Sequence, residues 1–327
     1  MVKSVKKYLI TGFSGFVSRY FIEYLNQIQE KADMLGVDIT KPPFTFECAN
    51  QNKIKFVQAN LLNKNRIQEI ILKFQPDFIL HLASFSSVAF SWKKPVFSFN
   101  NNTNIFLNLL EAVRESGIKC RILSVGSSEE YGIVKSKNAL FSETDQLNPI
   151  SPYAVARVSQ ELLSKVYVDG YGFKIIMTRS FNHIGPGQKE AFVVSFFAKQ
   201  MVQIKKMRIK QGILRVGNLN IVRDFLDVRD VARAYYQLLQ KGNSGQIYNV
   251  CTGKGIALTK IIDYIAQYLK IKVKLKVDPS LVRPNDSPVI IGNNRKIKSE
   301  LGWQPKISLK NSIADICEYL LRSRTVR

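Results

Sequence analysis

One short stretch constrains this chain more than any other. The β-forming run Tyr8-Leu9-Ile10 leads straight into Thr11-Gly12-Phe13-Ser14-Gly15-Phe16-Val17-Ser18, which opens a helical pattern. A strand feeding a tight glycine turn and then a helix is the opening unit of a βαβ fold. Gly12 allows the turn. Gly15 lets backbone approach a pyrophosphate seated on the helix N-terminus, where unpaired N–H groups and the helix dipole favour an anion. The expectation is a dinucleotide site built from Gly12, Phe13, Ser14, Gly15, Phe16 and Val17. The spacing is G-x-x-G, and Ser18 stands where a third glycine would favour close helix–strand packing.

Asp38 follows the run Met34-Leu35-Gly36-Val37, about twenty residues beyond the loop, where an acid accepts from the adenosine ribose hydroxyls. A 2′-phosphate would face a like charge there, so NAD(H) is favoured over NADP(H); the nearby Lys41 keeps NADP(H) open. Further strands are expected at Phe56-Val57, Phe78-Ile79-Leu80, Ile122–Val125 and Ile175-Ile176-Met177, and helices at Gly15 to about Glu30, Asn102–Ser116 and Pro152–Tyr171. Ser151 suits an N-cap and Pro152 a first helical turn. Past about Phe181 the pattern changes to a helix near 192–207, a strand-rich piece at 213–225, a helix near 231–239 and Pro/Gly-punctuated segments. The fold class expected is α/β: a Rossmann doubly wound parallel sheet over residues 1–180 with a smaller C-terminal substrate-binding lobe over 181–327. That lobe would be discontinuous, part of 225–255 returning to the first domain.

Charge follows the same division. Of 48 Lys+Arg and 25 Asp+Glu in 327 residues, 22 and 15 lie in 1–180, and 26 and 10 lie in 181–327. The excess is therefore +7 and +16 of the total +23, and it favours an anionic partner at the C-terminal part. Lys270, Lys272, Lys274 and Lys276 alternate with Ile271, Val273 and Leu275, which describes a strand with a solvated lysine face. No apolar run approaches eighteen residues, so membrane insertion is not expected. Four dispersed cysteines (Cys48, Cys120, Cys251, Cys317) read as reduced core residues, and two histidines without paired spacing give no metal site. A cytoplasmic location is the expectation. Basic charge without an RNA-binding motif makes a non-catalytic nucleic-acid binder the unfavoured alternative.

Chemistry concentrates in two segments. Ser124-Val125-Gly126-Ser127-Ser128-Glu129-Glu130-Tyr131-Gly132 starts in a strand and ends in a loop, at the carboxyl edge of a parallel sheet where such folds bind ligands. Tyr153 and Arg157 are four apart on a helix and share a face. A cation beside a phenol favours the phenolate, and a serine hydroxyl could hold a substrate oxygen beside it.

The ordered set T-G-x-x-G-F, H-L-A, G-S-S-E-E-Y-G, S-P-Y-x-x-x-R and R-S-F-N-H-I-G-P-G-Q resembles the extended short-chain dehydrogenase/reductase family. Within it the pattern is nearest to enzymes of GDP-mannose-derived deoxysugars, of the GDP-6-deoxy-4-keto-D-mannose reductase type. Val216-Gly217-Asn218-Leu219, Val222-Arg223-Asp224-Phe225, Asp227-Val228-Arg229-Asp230, Leu281-Val282-Arg283-Pro284 and Gly302-Trp303-Gln304-Pro305 extend the likeness to nearly the whole chain.

The resemblance implies an enzyme that reduces C4 of a GDP-4-keto-6-deoxy hexose or heptose for surface polysaccharide, lipopolysaccharide or capsule. Tyr153 would be the acid/base and Ser127 its hydroxyl partner. Position 157 would hold the cofactor ribose, where Arg157 replaces the family's lysine. Ser128 and Glu129 complete the triplet that related GDP-sugar 4,6-dehydratases use for elimination, so a dehydratase, a 4-dehydrogenase or an epimerase stays open. His81, Leu82, Ala83, Ser84 and Asn102 would line the nicotinamide side, and Asn60 and Leu61 the adenine side. Ser86, Asn182, Val193, Lys199, Asn218, Arg223, Arg283 and Asp286 would meet the GDP-sugar, with the two arginines on its diphosphate. Relatives dimerise through the helices expected at Asn102–Ser116 and Pro152–Tyr171, so a homodimer is implied.

Overall fold

In a computed structural model, residues 5–46, 52–133, 140–209, 211–283 and 285–323 are described; Cys48 and Pro284 lie outside them. The amino-terminal part alternates β1 (Lys6–Thr11), α1 (Phe16–Gln27), β2 (Ala32–Asp38), β3 (Lys53–Gln58), α2 (Lys64–Phe74), β4 (Phe78–His81), α3 (Val88–Lys93), α4 (Pro95–Ser116), β5 (Arg121–Ser127), α5 (Pro152–Tyr171) and β6 (Lys174–Ser180). There follow β7 (Asn182–Ile184), α6 (Val193–Lys206), β8 (Gln211–Val216), β9 (Val222–Asp227), α7 (Val228–Lys241), β10 (Ile247–Val250), β11 (Gly255–Ala257) and α8 (Leu258–Leu269). β12 (Lys272–Val277), β13 (Val289–Ile290), α9 (Arg295–Leu301) and α10 (Leu309–Arg322) complete the order.

Seven strands form one parallel sheet in the order β10-β6-β5-β4-β1-β2-β3. The 3-2-1-4-5-6 core is the Rossmann arrangement, and it places its topological switch point between β1 and β4. Strands this central are covered on both faces. α1 and α7 pack one face with Tyr8, Phe21, Val231 and Tyr235, while α2, α4 and α5 pack the other with Leu9, Ile71, Phe106 and Ile122. The remaining elements share a third core around Phe197, Met201, Leu214, Ile261 and Ile316.

Local sequence accounts for the ends that matter. Ser151 Oγ accepts from Ala154 N (3.1 Å) and Pro152 begins α5, as its sequence suggests. α2 starts where Asn63 Oδ1 accepts from Arg66 N. The lysine-rich strand differs from its expected form. β12 pairs in parallel with β8, Lys270 is the left-handed cap of α8 and not a strand residue, and Leu275 and Val277 are left exposed. β12 is an edge strand of a two-stranded sheet whose Val273 still packs on the third core, so only the end of its aliphatic side goes uncovered.

Candidate active site

The carboxyl ends of β1, β2, β4 and β5 open into a cavity of about 1250 Å3 that runs from the glycine loop to Arg223 and Arg283. At its first end Gly12 has φ +68°, and a Cβ there would stand 2.7 Å from Ala83 N. Only glycine fits between the turn and the exit of β4. Ser18 turns out to serve the loop itself, its buried hydroxyl donating to Phe13 O (2.5 Å) and Gly15 O (2.8 Å). Ser14 N donates to Asp38 Oδ2 (2.9 Å), so the acid expected at the ribose sits directly against the loop.

Gly12, Ser14, Gly15, Phe16, Val17, Asp38, Asn60, Leu61, Leu82, Ala83 and Ser84 line this end together. Phe13 does not. Its ring is fully buried against Phe46 and Phe56 and lies 2.1 Å from where a Cβ on Gly36 would be, so it is a core residue beneath the loop. Asn102 also lies behind the cavity wall. Its amide clamps Phe85, accepting from the backbone N (2.8 Å) and donating to the carbonyl (3.3 Å), and so shapes the β4–α3 loop without facing a ligand. His81 is buried within the sheet with Nδ1 on Thr11 Oγ1 (2.9 Å). Burial, aided by the Arg157 charge, pushes its pKa down to about 3, so it is neutral.

The middle of the cavity holds Ser127, Ser128, Glu129, Tyr153 and Arg157, brought together by the end of β5 and the first turns of α5. Ser127 caps a 3-10 turn over Ser128–Tyr131, its hydroxyl accepting from Glu129 N (3.2 Å). Glu130 accepts from Ser127 N (2.6 Å) while its other oxygen is buried without a partner. Burial and the neighbouring Glu161 carboxylate push Glu130 up to about 8. Tyr153 Oη accepts from Arg157 Nε at 3.2 Å, and the guanidinium sits 5.3 Å from the ring centroid. A phenol, a cation and a serine thus face one space at a sheet edge, which suits proton transfer to or from a substrate oxygen.

The far end contains Asn182, Val193, Asn218, Arg223, Arg283 and Asp286, with Ser86 near the middle. Two sequence assignments change here. Asp286 is engaged by Arg223 (2.6 Å) and Arg283 (3.8 Å), so it orients the arginines and offsets part of their charge instead of standing free as an acceptor. Lys199 does not line the cavity, because Glu190 on the preceding loop captures its ammonium. Arg223 is nearly buried, with Nη1 donating to Ser287 O (2.7 Å). Residues that the sequence reading overlooked include Arg19, Phe44, Trp92, Phe192 and Tyr319, which border the cavity from loops or from distant helices.

The sequence pattern of the family described as GDP-mannose 4,6 dehydratase matches residues 9–316. The chain belongs to that family. It is an extended short-chain dehydrogenase/reductase, a group that includes NAD(P)-dependent enzymes acting on nucleotide sugars. It is 30% identical to a GDP-6-deoxy-D-mannose reductase of Pseudomonas aeruginosa over 95% of this chain and 96% of the relative. With a GDP-6-deoxy-D-talose 4-dehydrogenase of Aggregatibacter actinomycetemcomitans the identity is 27%, over 97% and 98%. Among solved structures it superimposes on RMD from Pseudomonas aeruginosa, complexed with NADPH, with TM-score 0.83 and 28% identity, over 97% of this chain and 99% of that one. A Thermus thermophilus UDP-glucose 4-epimerase complexed with NAD gives TM-score 0.83 and 27%, over 97% and 100%. These relatives and neighbours are named for different reactions, so likeness to them fixes the class of chemistry and not the reaction. Among the described residues no cluster of His, Cys, Asp and Glu is arranged to hold a metal, and no helix is long and apolar enough to cross a membrane.

Proposed function

We propose that the protein reduces the C4 carbonyl of a GDP-4-keto-6-deoxy sugar, hexose or heptose, to the GDP-6-deoxy sugar. The observation that carries this reading is the Tyr153–Arg157 pair in the middle of a cavity with a dinucleotide-type glycine loop at one end and two arginines at the other. The groove fits a nicotinamide dinucleotide: α1 starts after Gly15 with no side-chain cap on its first N–H groups, and the buried Ser84 Oγ on the wall has no protein partner. When bound, that cofactor supplies a hydride. Tyr153 gives a proton to the oxygen of the carbonyl being reduced, Ser127 holds that oxygen, and Arg157 stabilises the phenolate left behind. Arg223 and Arg283 bind the diphosphate, since guanidinium forks match phosphate oxygens, and Asn182, Val193 and Asn218 flank the rest of the nucleotide. Asp38 supports NAD(H) over NADP(H), because a 2′-phosphate would meet its carboxylate.

The test is a coupled incubation. With GDP-mannose alone no reaction is expected; with a GDP-mannose 4,6-dehydratase added, absorbance of NADH or NADPH should fall. A 4-keto product formed from GDP-mannose by this protein alone would instead make it a dehydratase, the reading that Glu129 beside Ser127 and Ser128 supports. Salt-dependent RNA binding without turnover would contradict both. We further propose a homodimer through α4 and α5, whose outer faces expose Val96, Phe97, Leu162 and Val166, and a cytoplasmic role in supplying surface polysaccharide. Light scattering at the monomer mass would contradict the dimer, and fractionation of the producing cells would check the location.

A further inference from the structure

Arginine in place of lysine at position 157 leaves three donor nitrogens to place where a lysine has one. Nε faces Tyr153 Oη, while Nη1 donates to Val125 O (2.9 Å) and to Gln160 Oε1 (2.6 Å). Nη2 has no protein hydrogen bond among the described residues, and Arg157 lines the cavity. Gln160 is itself held: Nε2 donates to Ser124 Oγ (2.9 Å) and to Val125 O (3.2 Å), and Ser164 Oγ bonds both Ser124 Oγ (3.1 Å) and Gln160 O (2.9 Å).

Ser124, Gln160 and Ser164 are each at most 2% exposed, in the α5–β5 interface where aliphatic side chains would pack without any desolvation cost. Their hydrogen bonds satisfy one another and end on the guanidinium. A buried polar group that is fully satisfied is rigid, and here the rigidity is delivered to one side chain. Lysine, a single ammonium on a flexible stem, could not engage Tyr153, Val125 and Gln160 through separate nitrogens.

We propose that Gln160, braced by Ser124 and Ser164, is a positioning residue. It pins Nη1 of Arg157 so that Nε meets the Tyr153 hydroxyl and Nη2 is presented to the cofactor's ribose. The inference rests on Tyr153 being the acid/base, as proposed above. Gln160 touches neither substrate nor cofactor; it acts through Arg157.

The experiment uses the full-length enzyme with the sugar nucleotide it turns over, comparing Gln160→Leu, Gln160→Glu and Ser124→Ala. In the reducing direction Tyr153 must be protonated, so the rate falls at high pH. Releasing the cation that favours phenolate moves this alkaline limb to higher pH. Gln160→Leu is expected to lower kcat about ten- to a hundredfold and to move the limb of kcat/KM to higher pH. Gln160→Glu keeps an acceptor for Nη1 but loses the Nε2 donor to Ser124 and Val125 and sets a negative charge against the guanidinium, so it should also move the limb to higher pH. Ser124→Ala, which leaves only a small gap, should give a weaker shift in the same direction and covers the case of a Gln160→Leu variant that fails to fold. In an Arg157→Lys background, Gln160→Leu should move the limb no further.

A purely structural role would lower Tm and leave the limb unmoved; that result, or an equal shift in the lysine background, overturns the proposal. The ultraviolet difference spectrum of phenolate, native minus Tyr153→Phe, follows the same ionisation without substrate. A shift there survives even if the reductase reading fails. Conversely, turnover retained by Tyr153→Phe would end that reading whatever Gln160 does.

Discussion

Glu130 gives the sharpest physical test of the fold around the site. Its carboxyl is completely buried under Gly126, accepts one hydrogen bond from Ser127 N, and lies near Glu161. These surroundings raise its folded pKa from the ordinary 4.5 to about 8, burial contributing most. A group whose folded pKa is raised stabilises the fold fully below its unfolded pKa and loses that contribution as pH climbs towards the folded one. The window is therefore about pH 4.5 to about 8. Each pH unit inside it costs about 1.4 kcal/mol, so the loss by pH 7 is on the order of a few kcal/mol.

Glutamine has the same shape and can still accept from Ser127 N, yet carries no proton to lose. Glu130→Gln should match wild type near pH 4.5 and exceed it by on the order of a few kcal/mol at pH 7. Urea unfolding of both proteins at several pH values between 5 and 8 measures the difference directly. Parallel stability curves would mean that Glu130 carries no raised pKa. They would show that Arg157 and Arg179 balance an ionised Glu130.

Other outcomes follow from single contacts. Tyr153→Phe should cut turnover roughly 10²- to 10⁴-fold while cofactor binding by fluorescence stays near normal. Gly12→Ala places a Cβ 2.7 Å from Ala83 N at φ +68°, so it should cost about 1–3 kcal/mol and abolish cofactor binding, read by Tm and by fluorescence titration. Gly36→Ala drives a Cβ into the Phe13 ring and should lower stability by about 1–3 kcal/mol in urea melts, with the glycine loop loosened.

Much of this was legible in the residues. Short apolar runs between helical patterns marked all six strands of the 3-2-1-4-5-6 core, and the glycine spacing marked the turn between β1 and α1. α2 was overlooked although Asn63 and the Ile67, Ile70, Ile71 spacing signal it. What the sequence hides is which polar groups are already spent. Asp286 reads as an acceptor until Arg223 is seen on it, and Asn102 as a ligand until its amide is found on Phe85. Phe13 belongs to the glycine motif by position but to the core by packing, and Gly36, one strand away, makes the room for its ring. Arg157 stands where the family has lysine, and only its bonds to Gln160 and Val125 reveal how differently the charge is mounted.

A C4 reductase is defined by where its hydride goes. The enzyme should be incubated with the 4-keto product of a GDP-mannose 4,6-dehydratase and a nicotinamide cofactor deuterated at the transferred position, and the GDP-sugar product read by NMR. Deuterium is expected at C4 of a 6-deoxy sugar, and none in the Tyr153→Phe variant. Unlabelled product, or conversion of GDP-mannose to a 4-keto sugar by this protein alone, would contradict it.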